Sequence, residues 1–337
     1  MSQLIDKISS IIKNRYYQTV VYKRYSKFAI ESQYWSKDKW LDWQWMQIKE
    51  LLEYAYQWVP YYSNLFKDIG LTPQDIISWD RFREIPILSK KIVRQNEKQL
   101  LTTHPGERKK AIAFSSSGST GLPLRFYTNR EQQIVTSAFM DFQWSRIGYT
   151  RNSSRVVIRG LYSPKLISKM SPRDWNISVC GLSDENLPEI TSFLNKTKPD
   201  YLHAFPSSLW TLTNLMNKHS ITLNYKPKGL LIGSEKYPNE YRTLFEGFYE
   251  CKSYSWLGLA EGTILAGECE NTDDLHVIPA YSYVELEKNS ESKEILNGDM
   301  IIGTSLHNRA FPFIRYYCGD LAIPVESDCV CGRGYQI

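Results

Sequence analysis

Phe114-Ser115-Ser116-Ser117-Gly118-Ser119-Thr120-Gly121-Leu122-Pro123 is the stretch on which the reading of this chain turns. Seven consecutive positions, Ser115 to Gly121, hold five hydroxyl side chains and two glycines. The apolar run Ala111 to Phe114 precedes them. An extended piece, Leu124 to Thr128, and a helical pattern over Arg130 to Ile147 follow. Glycines let a backbone turn tightly against a ligand. Clustered N–H groups and hydroxyls make a concave donor surface suited to phosphate oxygens. The same residues would also serve as a polar surface loop.

Familiar phosphate motifs do not fit. Gly118 and Gly121 are separated by two residues and Leu122 follows, whereas a Walker loop needs four intervening residues and then Lys. The third glycine of a dinucleotide fingerprint is missing, and so is a G-x-S-x-G nucleophile elbow. Ser116 to Pro123 instead resembles the S-S-G-[ST]-T-G-x-P phosphate loop of the adenylate-forming enzymes, the acyl/aryl–coenzyme A ligase superfamily. Val59-Pro60-Tyr61-Tyr62 and Ile85-Pro86-Ile87-Leu88-Ser89-Lys90 resemble its phenylacetate–coenzyme A ligase and capsular polysaccharide biosynthesis branch.

The chain has 337 residues, enough for one large domain or two smaller ones. Hydrophobic residues at 42% and charged residues at 23% match an ordinary globular protein. A net charge of +5 suits anionic ligands but is too diffuse for nucleic acid. No apolar run approaches the roughly 20 residues of a membrane span, and no signal peptide is visible. A cytoplasmic location with reduced thiols is expected. Basic residues interleaved with tyrosines between Met1 and Ile30 suit peripheral membrane contact, and a solvated helix face is the simpler reading.

Periodicity divides the chain into a helical region (residues 1–95), an α/β core (96–272) and a β-rich subdomain (273–337). Helical patterns cover Met1 to about Tyr56, with a second pattern from Lys39, and resume at Tyr61 to Phe66; another helix is capped at Ser89. Strands are expected at Arg155 to Arg159, Tyr201 to Ala204, Gly229 to Ile232 and Lys252 to Trp256. They alternate with helices at Ser207 to His219 and Asn239 to Phe248, which argues for parallel α/β layers. Beyond Asp273, strands are expected at Tyr281 to Leu286, Asp299 to Ser305, Phe313 to Tyr317 and Leu321 to Pro324. The fold class is α/β. The resemblance makes it the large N-terminal domain of an adenylate-forming enzyme.

Three downstream motifs stand in the family's order. Gly233-Ser234-Glu235 follows an apolar strand and resembles the G-[AS]-E that lines the adenine pocket. Leu257-Gly258-Leu259-Ala260-Glu261 resembles Y-G-x-x-E, with Leu257 in place of the aromatic residue. Glu261 would take magnesium, a hard cation that prefers carboxylate oxygen; alone it would pass as a helix N-terminal acid. Arg315-Tyr316-Tyr317-Cys318-Gly319-Asp320 resembles R-Y-x-x-G-D, whose aspartate binds the ribose hydroxyls; alone Gly-Asp would pass as a turn. The resemblance thus assigns Ser115, Ser116, Ser117, Gly118, Ser119, Thr120 and Gly121 to phosphates, joined by Gly258, Leu259 and Arg333 in nucleotide binding. Glu261 and Thr120 are its catalytic candidates.

Cys269 is followed seven residues on by His276, and Cys329 and Cys331 lie near the end. Three thiolates and one imidazole suit tetrahedral zinc; free thiols, or a strained Cys329–Cys331 disulfide, are the alternatives. The ligase branch carries the same C…H…C-x-C-G-R arrangement, which implies a structural zinc.

The resemblance implies attack of a carboxylate on the α-phosphate of ATP, giving an acyl-adenylate, then transfer to coenzyme A or another acceptor. Polysaccharide biosynthesis is one setting. The family's small C-terminal domain would begin about where the chain stops, so a fragment is expected. The competing expectation is a non-catalytic or truncated nucleotide- or acyl-binding module. Acyl-pocket residues are expected near Phe139 to Tyr149, Leu202 to Ser208 and Trp256 to Leu259. His203 is a pocket candidate or a satisfied structural histidine.

Overall fold

The computed structural model describes residues 19–115, 123–160, 165–288, 298–325 and 328–333. The chain divides into two units, each assembled from separate segments. The first takes residues up to Lys23, Asp141–Leu257 and Gly267–Leu275. The second takes Arg24–Met140, Gly258–Ala266 and the residues from His276 onward.

In chain order the strands are β1 (Leu88–Ser89), β2 (Ile112–Ser115), β3 (Arg125–Thr128), β4 (Arg155–Ile158), β5 (Ile167–Lys169), β6 (Asp174–Ile177) and β7 (Tyr201–Ala204). They continue as β8 (Gly229–Gly233), β9 (Ser253–Gly258), β10 (Leu265–Gly267), β11 (His276–Val277), β12 (Ser282–Glu287), β13 (Asp299–Ser305) and β14 (Tyr316–Ala322).

The first unit is organised on strands in the order β9-β8-β7-β4-β6-β5. All neighbours are parallel except the β5–β6 pair. Parallel strands are covered on both faces, so runs such as Gly229-Leu230-Leu231-Ile232 carry almost no polar residue. Alternation separates the faces. Val156, Ile158, Leu202, Ala204, Leu230 and Ile232 enter one apolar cluster. Helices supply its other half at helical spacing: Leu187, Ile190 and Leu194 from Leu187–Thr197, and Leu209, Leu212 and Met216 from Pro206–Lys218. The opposite face carries Arg155, Val157, Tyr201 and His203, each two residues apart along its strand.

The second unit packs helices against the sheet β1-β14-β13-β12, in which β1 joins in parallel and the others are antiparallel. Helix Lys37–Trp58 buries Ile48, Leu51, Leu52 and Ala55 in a core shared with Phe66, Phe82, Phe311 and Phe313. Strands β2 and β3 form a separate antiparallel hairpin.

The expected strands at 155–159, 201–204, 229–232, 252–256, 281–286 and 299–305 are found within two residues at either end. The second helical pattern expected from Lys39 is found as Lys37–Trp58: Val20–Ser32 ends, and Ser36 restarts the chain by accepting a 3.3 Å hydrogen bond from the Lys39 amide. A cap there satisfies donors that continuation would have to satisfy elsewhere. Strands expected at 313–317 and 321–324 are a single strand, β14, because Gly319 (φ 101°) lets it run through the Gly-Asp pair without turning.

Candidate functional site

The hairpin aligns Ser115 with Arg125 across its two strands. Ser115 is exposed at the tip of β2. Ser116, Ser117, Gly118, Ser119, Thr120 and Gly121 lie outside the described residues, within the connection from Ser115 to β3.

Glu261 belongs to the same unit as this hairpin. Its segment is seated by Gly303 of β13: a Cβ there would stand 2.2 Å from the Thr263 carbonyl oxygen, so only glycine allows the approach. Glu261 is 4% exposed, and its Oε1 accepts a 3.1 Å hydrogen bond from the Tyr316 hydroxyl on β14. Burial pushes the carboxyl above its ordinary range, against the Tyr316 hydrogen bond and the positive charge of Lys90; the nearby charge of Asp320 adds to the rise. The Tyr316 phenol is held far above its ordinary value, chiefly by burial and then by the charge of Glu261. A buried carboxylate balanced in this way gains from a cation, which would hold it ionised. Asp320 sits four residues along β14 and accepts from the Cys318 thiol at 2.9 Å. Leu259 turns the backbone, its carbonyl accepting from Gly262 N at 3.0 Å.

Arg315, the first residue of its motif, is a strut. It is 2% exposed and adopts φ 49° at the start of β14. Its guanidinium donates to Glu285 Oε2 (3.2 Å), Glu287 and the carbonyls of Ile85 (2.6 Å) and Arg83. These bonds orient the strand that carries Tyr316 and Asp320.

Gly233, Ser234 and Glu235 belong to the first unit, at the carboxyl end of β8. A Cβ at Gly233 would lie 2.5 Å from the Trp256 ring. Ser234 has φ 71°, and its hydroxyl accepts from Arg159 Nη2 at 2.8 Å. Glu235 Oε2 accepts from the Ser207 amide at 3.0 Å, in the first turn of helix Pro206–Lys218. Arg159 was not picked out from sequence, since one arginine after an apolar strand carries no pattern.

His276, Cys329 and Cys331 come together in the second unit, their ligand atoms within 4.8 Å of one another. Cys331 Sγ lies 3.7 Å from His276 Nε2. A tetrahedral zinc with sulfur and nitrogen ligands spans donor–donor edges of about 3.5–3.8 Å, which this pair fits. Amides two residues on donate to the sulfurs: Cys331 N to Cys329 (3.4 Å), Arg333 N to Cys331 (3.4 Å) and Asn271 N to Cys269 (3.3 Å). Such bonds fix the orientation of a ligand sulfur. Cys269 is 1% exposed and belongs to the first unit. The Arg333 side chain donates to Gln33 Oε1 at 3.0 Å and lies over the Tyr34 ring.

No family model matches the chain. It is 23% identical over 301 residues to phenylacetate–coenzyme A ligase of Thermus thermophilus, and 25% identical over 280 residues to that of Pseudomonas putida. It is 21% identical over 292 residues to Protein CapK of Staphylococcus aureus. These alignments cover 80–85% of this chain and 62–66% of the relatives, so the chain spans somewhat less than two thirds of their length. Among solved structures, 2-hydroxyisobutyryl–CoA ligase in the postadenylation state superposes with a TM-score of 0.72 at 16% identity, over 90% of this chain and 67% of that one. Its open conformation gives 0.67 at 17% identity, over 86% and 71%. Among the described residues no helix is long and apolar enough to cross a membrane. Curated phenylacetate–coenzyme A ligases and CapK thus align along 80–85% of the chain, and the chain has the fold of the matching part of an acyl–CoA ligase.

Proposed function

We propose that this chain binds ATP and a carboxylic acid and takes part in forming the acyl-adenylate, the acyl group then passing to coenzyme A or another acceptor. The carboxylate oxygen attacks the α-phosphorus, the bond to the bridging oxygen breaks, and pyrophosphate leaves. The observation that carries the reading is the buried Glu261 under Tyr316, in one unit with Asp320 and with the hairpin whose connection is the serine-rich stretch. Phosphoryl chemistry of this kind draws mainly on positioning and charge stabilisation. Residues from Ser115 to Gly121, Thr120 among them, would donate to phosphate oxygens. Glu261 would hold magnesium, which neutralises triphosphate charge. Asp320 would accept from the ribose hydroxyls, and Gly233 to Glu235 would face the adenine. Zinc on His276, Cys329 and Cys331, with Cys269 as fourth ligand, would act as a structural cross-link.

Polysaccharide biosynthesis is the setting that the sequence resemblance of Val59 to Tyr62 and Ile85 to Lys90 suggests. The test is pyrophosphate release from ATP with a panel of carboxylic acids. ATP bound without turnover, even with a C-terminal domain supplied in trans, would favour the second reading, a non-catalytic nucleotide- or acyl-binding module.

A further inference from the structure

β14 does not pair evenly with β13. Leu321 stands opposite Met300 and Tyr317 opposite Ile302, so Cys318, Gly319 and Asp320 together face the single residue Ile301. Extra residues on one strand of a pair form a bulge, which bends that strand and re-aims its side chains. Gly319 sits at the centre with φ 101°, and a Cβ there would meet no atom within 4 Å. Backbone conformation rather than space therefore reserves the position for glycine.

The bulge joins two side chains that a regular strand would hold about 7 Å apart. Cys318 Sγ donates to Asp320 Oδ2 at 2.9 Å. The thiol is buried. Burial, and then the charge of Asp320, hold it above its ordinary range, so it keeps its proton and stays a donor at neutral pH. Asp320 itself is half-buried beside the exposed Gly319. Its carboxylate is fixed through Oδ2, while Oδ1 accepts no hydrogen bond among the described residues. A carboxylate has about four lone-pair sites, so one thiol leaves acceptor capacity on both oxygens.

We propose that Cys318 is a positioning residue: its thiol, acting across the bulge at Gly319, aims Asp320 so that the carboxylate accepts from two adjacent hydroxyls of a ligand. This rests on the nucleotide-binding reading above, in which the hydroxyls are those of the ribose of ATP. A carboxylate already held in place loses little freedom when the diol arrives. Selectivity for a ribose over a sugar without the hydroxyls is then set partly by a residue that acts through Asp320.

The test is calorimetry on the full chain with magnesium, using ATP and 2′,3′-dideoxy-ATP, which lacks both hydroxyls. Wild type should prefer ATP by at least about tenfold. Cys318→Ala should weaken ATP about three- to tenfold, the net worth of one hydrogen bond, and leave the dideoxy analogue unchanged. Cys318→Val keeps the volume without the donor and should behave in the same way, which covers an alanine variant that does not fold. Cys318→Ser keeps a donor and should recover most of the preference. Without nucleotide, the infrared S–H band that disappears in Cys318→Ala should move to higher frequency in Asp320→Ala, as a thiol does on losing its acceptor.

A merely structural role would weaken both nucleotides alike. Equal losses for the two, a preference unchanged in the alanine and valine variants, serine no better than alanine, or an S–H band indifferent to Asp320 overturns the proposal and leaves the ribose reading standing. Wild type that binds the two nucleotides equally, or neither, overturns the ribose reading and the proposal with it.

Discussion

The Tyr316 hydroxyl donates a 3.1 Å hydrogen bond to Glu261 Oε1, joining two motifs that lie 55 residues apart in the chain. The donor comes from a strand and the acceptor from the turn after β9. The bond holds a buried carboxylate at a defined place, and the proposed magnesium role depends on that position.

Tyr316→Phe should therefore lower stability by about 1–3 kcal/mol, the range for a bond to a charged or partly charged acceptor. Urea denaturation measures this. Glu261→Gln keeps an acceptor for Tyr316 and removes a buried charge, so its stability should stay close to wild type. Magnesium-dependent ATP affinity should nevertheless fall at least about tenfold. Unchanged affinity in that variant would remove Glu261 from the metal role.

Arg315→Met should be among the most damaging single changes, at about 3–5 kcal/mol. It leaves Glu285, 4% exposed as a side chain, without the guanidinium that offsets its burial. Adding Glu285→Gln should recover part of the loss, because the orphaned charge is then gone. Chemical denaturation of the two variants and their double mutant forms the cycle; simple additivity would refute the pairing.

His307 gives a pH signature. Burial depresses its ring to about 4, against the acceptor carbonyl of Ala280 at 2.7 Å, while the charges of Arg309 and Arg24 depress it further. The unfolded chain takes up a proton near pH 6.5 and the folded one only near pH 4. Stability from this group is thus complete above about pH 6.5 and is lost as pH falls toward 4, by about 1–2 kcal/mol for a partly exposed ring. His307→Gln can keep the donor to Ala280, and its stability should fall less than wild type across that window. Parallel melting curves at several pH values decide it.

Purified protein should contain about one zinc per chain if the Cys3His set is complete. Cys329→Ser and Cys269→Ser should each lose the metal and lower the melting temperature, and a strong chelator should reproduce the effect on wild type. A Cys269→Ser protein that keeps zinc at full occupancy would leave a three-ligand site confined to the second unit.

Local sequence was enough for much of the architecture. The apolar runs at Val156 to Ile158 and Leu230 to Ile232, and the helical spacing of Leu209, Leu212 and Met216, reflect side-chain alternation that holds whatever lies across the sheet. The serine-rich stretch, Gly233 to Glu235, Glu261, Asp320 and the cysteines stand out in the sequence as candidates, because each belongs to a compact pattern of unusual composition. What only the tertiary structure decided was pairing between distant residues. Tyr316 is the donor to Glu261, and Arg315 is a buried strut. Gly303 is required by the backbone of Thr263. Arg155, Arg159 and His203 converge because β4 and β7 are neighbours with Val157 opposite His203. Periodicity records which face a residue shows, but strand order and register determine what it meets there, and those follow from the packing of the whole chain.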